Sequence, residues 1–253
     1  MEIVWIGSPN RARGREGFRP EAVVVHIAEG TLAWTDGWFL DPASKVSAHY
    51  GIGNLGEVHQ YVGEADTAWH AGRRYKASWR LIRPQNPNLY TLGIEHEGYA
   101  DSVWSEAMVD ASVRLTSGMC NRWHIAPDRN HIVAHREIYA RKTCPGTWID
   151  LDWLVSEVRR AISGGKIYNF VSASGRVRTS VDLEIRRGAP TTIVRSLRTA
   201  AKGTVLHYVA WTSNGLNLHG NPHWYKDDDG NFFWAGGTEA PVPGVSHSNI
   251  KRT

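Results

Sequence analysis

Between residues 21 and 162, short apolar runs alternate with stretches whose apolar residues recur at helical spacing. Residues 22–27 begin with the run Ala22-Val23-Val24-Val25 and predict a buried strand. Residues 46–53 and 57–62 predict a strand pair turned through Asn54-Leu55-Gly56, and residues 89–95 and 132–135 predict two further strands. Residues 31–40 predict a short helix with Leu32, Trp34, Trp38 and Phe39 as its apolar positions. A longer helix is expected over 105–123, with Met108, Ala111, Val113, Leu115, Met119 and Trp123 in a noisy helical period and Ser105 or an adjacent residue as its cap. Residues 150–162 place Leu151, Leu154, Val155, Val158 and Ile162 on one face behind Asp150 as N-cap. Strands interleaved with helices predict an α/β domain over 1–163, a mixed central sheet flanked by helices.

Residues 164–166 then read as a linker, and from residue 167 helical periodicity stops. Short runs at 192–197, 204–209, 224–226 and 232–234 are punctuated by glycines, and Asp228-Asp229-Gly230-Asn231 between two aromatic runs signals a hairpin. A small all-β barrel is expected over 167–240, with a loosely ordered tail at 241–253.

Composition narrows the function classes. At 253 residues the chain can bury one large core or two smaller ones, and 42% hydrophobic content argues against wholesale disorder. No run reaches membrane-spanning length. The first residues lack a basic region followed by a long apolar stretch, so no signal peptide is expected; the protein would be made in the cytoplasm and need another agent to release it. Cys120 and Cys144 can pair in principle, but without a secretory signal a disulfide is the weaker reading, and Cys120 reads as a small buried apolar residue of a helix. A net charge of +4 favours anionic partners such as nucleic acid, membranes or an acidic wall polymer, or reflects a generally basic surface. Twelve tryptophans are many; an excess can line carbohydrate or peptide clefts, although core packing accounts for most.

The candidate chemistry sits where apolar runs end. His26 follows one such run and His135 another, with Cys144 nine residues further on. Two imidazoles and a thiolate leave a fourth tetrahedral corner for water, which reads as catalytic zinc. In Leu92-Gly93-Ile94-Glu95-His96-Glu97, strand alternation puts Glu95 and Glu97 on one face and His96 on the other. Glu95 at a strand end beside a metal suits a general base, with a surface glutamate pair as the alternative. Lys142 shares a side with Cys144 if that stretch is extended and could hold an oxyanion.

Five stretches, in order, carry a family resemblance: Val23-Val24-Val25-His26; Val46-Ser47-Ala48-His49-Tyr50 with Gly56-Glu57-Val58-His59-Gln60-Tyr61-Val62; Ala68-Trp69-His70-Ala71-Gly72; Leu92-Gly93-Ile94-Glu95-His96-Glu97-Gly98; and Ala134-His135-Arg136-Glu137-Ile138 through Lys142-Thr143-Cys144-Pro145-Gly146. Together they resemble the zinc-dependent N-acetylmuramoyl-L-alanine amidases of the type 2 family, which includes phage endolysins and wall-recycling amidases and shares its fold with peptidoglycan recognition proteins. The resemblance implies one zinc ion on His26, His135 and Cys144, Glu95 as acid/base, and Lys142 stabilising the transition state. A tyrosine that assists in some members has its slot at Ala48 here, with Tyr50 displaced, which favours Glu95. Trp69 and His70 are expected to line the substrate cleft, with His49 and Tyr50 as further candidates; hydrogen-bonded structural roles are the alternative for both histidines. The implied substrate is bacterial peptidoglycan, cut between N-acetylmuramic acid and L-alanine, with no nucleic-acid partner and no membrane insertion.

Residues from about 167 to 240 resemble a bacterial SH3-like wall-binding module, through Leu183-Glu184-Ile185-Arg186-Arg187-Gly188-Ala189-Pro190, Ile193-Val194-Arg195-Ser196-Leu197, Lys202-Gly203-Thr204-Val205, and His223-Trp224-Tyr225-Lys226 with Gly230-Asn231-Phe232-Phe233-Trp234. Trp211, Trp224 and Trp234 are the groove candidates, with core packing expected for at least one. The expectation is a monomeric, modular phage or prophage endolysin that reaches the wall after holin-dependent release. The alternatives are a non-catalytic recognition protein, which usually lacks the cysteine ligand, a zinc peptidase cutting within the stem peptide, and a recycling amidase, against which the appended module argues.

Overall fold

The computed structural model describes residues 1–164, 170–187, 190 and 196–244. The chain divides into two units, Met1–Ile167 and Tyr168–Thr253. Residues 165–166 of the expected linker, 192–195 of the expected strand and 245–253 of the expected tail lie outside the described residues.

In the first unit, the elements run β1 (Val4–Trp5), β2 (Arg11–Ala12), β3 (Ala22–Val25), α1 (Leu32–Leu40), β4 (Tyr50–Ile52), β5 (Val58–Gln60), β6 (Thr67–Ala68), β7 (Thr91–His96), α2 (Glu106–Trp123), β8 (Ile132–Ala134), α3 (His135–Ile138) and α4 (Leu151–Ile162). Six strands form one sheet in the order β1-β5-β4-β7-β3-β8, while β2 and β6 form a separate two-stranded pair. Only β4 and β5 run antiparallel within the large sheet; β1/β5, β4/β7, β7/β3 and β3/β8 are parallel. The continuous apolar run of β3 is explained by this position, because a parallel strand in mid-sheet is covered on both faces, and all four of its residues are buried.

Alternation sorts the two faces. Ala22 and Val24 of β3 and Val133 of β8 pack on Trp79, Leu89, Tyr90 and Ile138. On the opposite face, His96 of β7 stacks on Trp104, and its Nε2 lies 2.9 Å from Ser112 Oγ on α2. There α2 packs against α4. The helix starts are set by their caps: Thr31 accepts from the Trp34 N–H at 3.1 Å, Ser105 from Met108 at 3.0 Å, and Asp150 from Asp152 at 2.8 Å. The expected strand at 46–53 shortens to Tyr50–Ile52, because Ser47 is taken up elsewhere: its N–H donates to Trp69 O and its hydroxyl to Asn10 O.

The second unit is all-β among the described residues: β9 (Phe170–Arg178), β10 (Leu183–Arg187), β11 (Ser196–Ala200), β12 (Val205–Thr212), β13 (Trp224–Lys226) and β14 (Asn231–Trp234). They form one antiparallel sheet in the order β11-β10-β14-β13-β12-β9. Val177, Ile185, Ala200, Leu206, Tyr225 and Phe233, one from each strand, share a single core cluster, so the sheet curls around it. The β13–β14 turn has Gly230 at φ +80°, and Asp227 accepts from the Asn231 N–H at 2.7 Å.

Trp224 corrects one expectation. It is 1% exposed, stands directly over Gly215 and donates its indole N–H to Leu216 O at 2.9 Å. Its ring is buried against the Gly215–Leu216 segment and offers no face to a wall polymer. Trp211 and Trp234 are half-buried against the core cluster of the second unit.

Leu154 on α4 is fully buried. Leu154→Ala is expected to lower the stability of the first unit by about 2–5 kcal/mol. Urea unfolding of the full chain followed at 222 nm reads this directly, since all the α-helices among the described residues lie in the first unit; a loss under about 1 kcal/mol would mean that the α4 face is loosely packed.

Candidate metal centre and cleft

Strand register builds the site. Val25 of β3 pairs with Ile94 of β7 on one side and Ala134 of β8 on the other. The next residue on each strand is Glu95, His26 or His135, so these three lie in one row on one face at the carboxyl ends of parallel strands. Open α/β sheets bind their ligands at such ends. The rings of His26 and His135 lie 4.5 Å apart, centroid to centroid. Cys144 arrives on the loop after α3, where Arg136 braces it: the guanidinium donates to Cys144 O at 3.4 Å and to Gly146 O at 2.9 Å. Donor atoms of His26, His135 and Cys144 lie within 4.8 Å of one another, and all three residues are buried.

The groups at this row have strongly shifted protonation. Burial, with His135, His70, His96 and Lys142 nearby, holds His26 well below the usual imidazole range. Burial and Lys142 bring His135 down to about 4. Burial and the neighbouring Glu95 push the Cys144 thiol up to about 11, and it donates to Ile27 O at 3.7 Å. Burial raises Glu95 to about 8, Glu29 adding to the shift and Lys142 opposing it. The 3.8 Å approach of Glu95 Oε1 to His26 Nδ1 is therefore a contact of neutral groups at pH 7, not an ion pair. Glu95 Oε2 is buried without a hydrogen-bond partner.

A cleft of about 350 Å³ opens over the row, lined by Glu95, the three candidate ligands, Lys142, Trp69 and His70. A second cavity of about 550 Å³ adjoins it and shares Val46, Trp69, His70, His135 and Lys142, so the two form one groove. Two of its wall residues were not foreseen as such. Trp34 and Trp38 on α1 stack at 5.4 Å with rings 12° from parallel, are about half exposed, and line the cleft. The signal was available. Leu32, Thr35 and Phe39 form the buried stripe of α1, which leaves the two tryptophans as a second apolar stripe facing something other than the core.

His49 and Tyr50, expected at the substrate, do not reach it. His49 is fully buried; its Nδ1 accepts from the Gly93 N–H at 3.0 Å, and its Nε2 lies 2.8 Å from the Arg15 guanidinium. Tyr50 is 3% exposed, donates to Glu64 Oε1 at 2.9 Å and accepts from Gln60 Nε2 at 3.1 Å. Both line neither cavity. Tyr50 opens β4 in mid-sheet, and His49 is bonded to β7, so sheet pairing turns both side chains into the protein.

The family model for N-acetylmuramoyl-L-alanine amidase matches residues 16–147, just over half the chain. The chain belongs to this amidase family. N-acetylmuramoyl-L-alanine amidase A of Achromobacter lyticus is 33% identical over 153 residues, which cover 53% of this chain and 79% of the relative. The 1,6-anhydro-N-acetylmuramyl-L-alanine amidase AmpD of Escherichia coli (strain K12) is 31% identical over 140 residues, 44% of this chain and 73% of that one. A crystal structure of a selenomethionine AmpD derivative superposes with a TM-score of 0.52 at 28% identity, covering 64% of this chain and 94% of that chain.

The donor set of this amidase fits a metal. Two neutral imidazoles and a thiol are brought within ligand distance, beside a carboxylate oxygen left without a partner. Nitrogen and sulfur donors select a borderline-soft divalent cation over calcium or magnesium.

Glu95 binds its proton more tightly in the folded chain (about 8) than in an unfolded one (4.5). Folded stability therefore falls as pH rises through that window. In chelator-treated protein, Glu95→Gln is expected to melt at a higher temperature than wild type at pH 8, with the gap closing toward pH 4.5. A gap that did not depend on pH would contradict the raised carboxyl.

Proposed function

We propose that the chain hydrolyses peptidoglycan at the amide between the lactyl group of N-acetylmuramic acid and L-alanine, with zinc held by His26, His135 and Cys144. The observation that carries this reading is the single register row of Glu95, His26 and His135, closed by the Cys144 sulfur. Zinc bound there supplies Lewis acidity toward the scissile carbonyl and a lowered pKa for water.

The protein's own groups do the rest. Glu95 has an oxygen free of hydrogen bonds at the cleft; beside a bound divalent cation its carboxylate form is favoured, and that form takes the proton of the attacking water. It then delivers that proton to the departing nitrogen of L-alanine. The Lys142 ammonium lines the same cleft and faces the oxygen on which negative charge develops. Trp69, His70 and the Trp34–Trp38 stack form walls against which sugar and peptide are oriented.

Under the same reading, the second unit is an SH3-like wall-binding module that keeps the enzyme near its substrate. Trp211 and Trp234 are its remaining groove candidates. A cavity in that unit is lined by Ile185, Arg198, His207 and Asp227 to Asp229, and by none of the three tryptophans. The protein acts as a monomer on the wall after leaving the cytoplasm, in a phage setting through a holin. No helix among the described residues is long and apolar enough to cross a membrane.

Mass spectrometry of digested peptidoglycan tests the bond. Free stem peptides beginning with L-alanine and a peptide-free glycan are expected; fragments cut inside the stem peptide would instead support a peptidase. Glu95→Gln is expected to lower the hydrolysis rate by about 10²–10⁴-fold while zinc content stays near one per chain. Removing residues 168–253 is expected to abolish co-sedimentation with cell walls and to spare cleavage of soluble muropeptides. Unchanged sedimentation would remove the tethering role.

A further inference from the structure

The hydrogen bonds behind His26 have a direction that can be followed from their buried end. Thr91 is fully buried at the start of β7, and its Oγ1 lies 2.8 Å from Pro87 O. A carbonyl has no proton to give, and two oxygen lone pairs at that distance repel, so the single hydroxyl proton points to Pro87. Thr91 Oγ1 then faces His70 Nε2, at 3.3 Å, with a lone pair. His70 must carry its proton on Nε2. The His70 ring is packed against Gly93 and no carboxylate is hydrogen-bonded to it among the described residues, so nothing balances a second ring proton and its Nδ1 is bare. That bare nitrogen lies 3.1 Å from His26 Nε2. Two bare nitrogens would repel, so His26 carries its proton on Nε2. Its Nδ1, on the edge nearest Glu95, is left as an open lone pair.

We propose that Thr91 and His70 are positioning residues that fix the tautomer of His26 and present its bare Nδ1 to the metal. The inference rests on the metal reading above. The relay is held by backbone geometry. His70 N–H donates to Asn88 Oδ1 at 3.1 Å, and the His70 ring lies against Gly93 so closely that a Cβ there would come within 2.6 Å of it. Only glycine at that position of β7 leaves room for the ring. A metal-ligating histidine needs its other nitrogen held by a partner of the right polarity, and loss of such a partner typically weakens metal affinity by about 10–100-fold. Here that partner is a second imidazole, whose own polarity is set by a threonine.

The test uses the full chain labelled with ¹⁵N-histidine. In metal-free protein, long-range ¹H–¹⁵N spectra are expected to show His26 and His70 both protonated on Nε2 with bare Nδ1. Thr91→Val, which keeps the side-chain shape, is expected to mix these tautomers and to weaken zinc binding by about 10–100-fold in chelator competition. Thr91→Ser, which restores the hydroxyl, should recover both readouts, and melting curves of both variants verify folding. Either wild-type ring protonated on Nδ1, or an unchanged tautomer and affinity in Thr91→Val, overturns the relay. A wild-type chain with the expected tautomers but no zinc affinity overturns the metal reading and leaves the relay's proton order standing.

Discussion

The parallel pairing of β7, β3 and β8 is the constraint on which the site depends. These strands are covered on both faces, so their middles are apolar and their polar side chains sit at the ends, Thr91 where β7 begins and Glu95, His26 and His135 where the strands finish. In-register pairing then brings Glu95, His26 and His135 side by side without any flexible loop having to find them. The same burial accounts for their chemistry. Desolvation is the first cause of the shift at each of the three and at Cys144, and it leaves them as neutral donors packed at short range.

A second layer of buried polar groups keeps that row in place. Arg15 is buried, and its guanidinium donates to the carbonyls of Glu64, Asn88, Leu89 and Thr91, clamping the chain where β7 begins. Burial brings its pKa down to about 10, which still leaves it charged at neutral pH. Three histidines close to the centre thereby acquire different work. His49 lies between Arg15 and the Gly93 amide, His96 is turned to α2 on the far face and meets His26 at its backbone carbonyl, and of the three His70 is hydrogen-bonded to a ligand's ring.

Much of this was legible in the sequence for a simple reason: buried parallel strands are written as unbroken apolar runs, so their polar last residues stand out. His26, His135 and Glu95 could be picked on that ground, and Ser105 and Asp150 as caps because short polar side chains precede amphipathic stretches. The connector before β4 was not legible. Residues 46–49 have strand-like composition, but the bonds of Ser47 to Trp69 and Asn10 replace regular pairing, and the faces of His49 and Tyr50 cannot be read from alternation. The two-residue strands β1, β2 and β6 are too short to carry a period. In the second unit β9 was missed because most of its residues are small or polar and few of them are buried.

Every residue placed in the proposed reaction, from His26 to Cys144, falls inside one of the two units. Under the proposed reading, the residues that cut and the residues that tether belong to separate stretches of the gene, so a different tether could follow α4 with every cutting residue left as it stands.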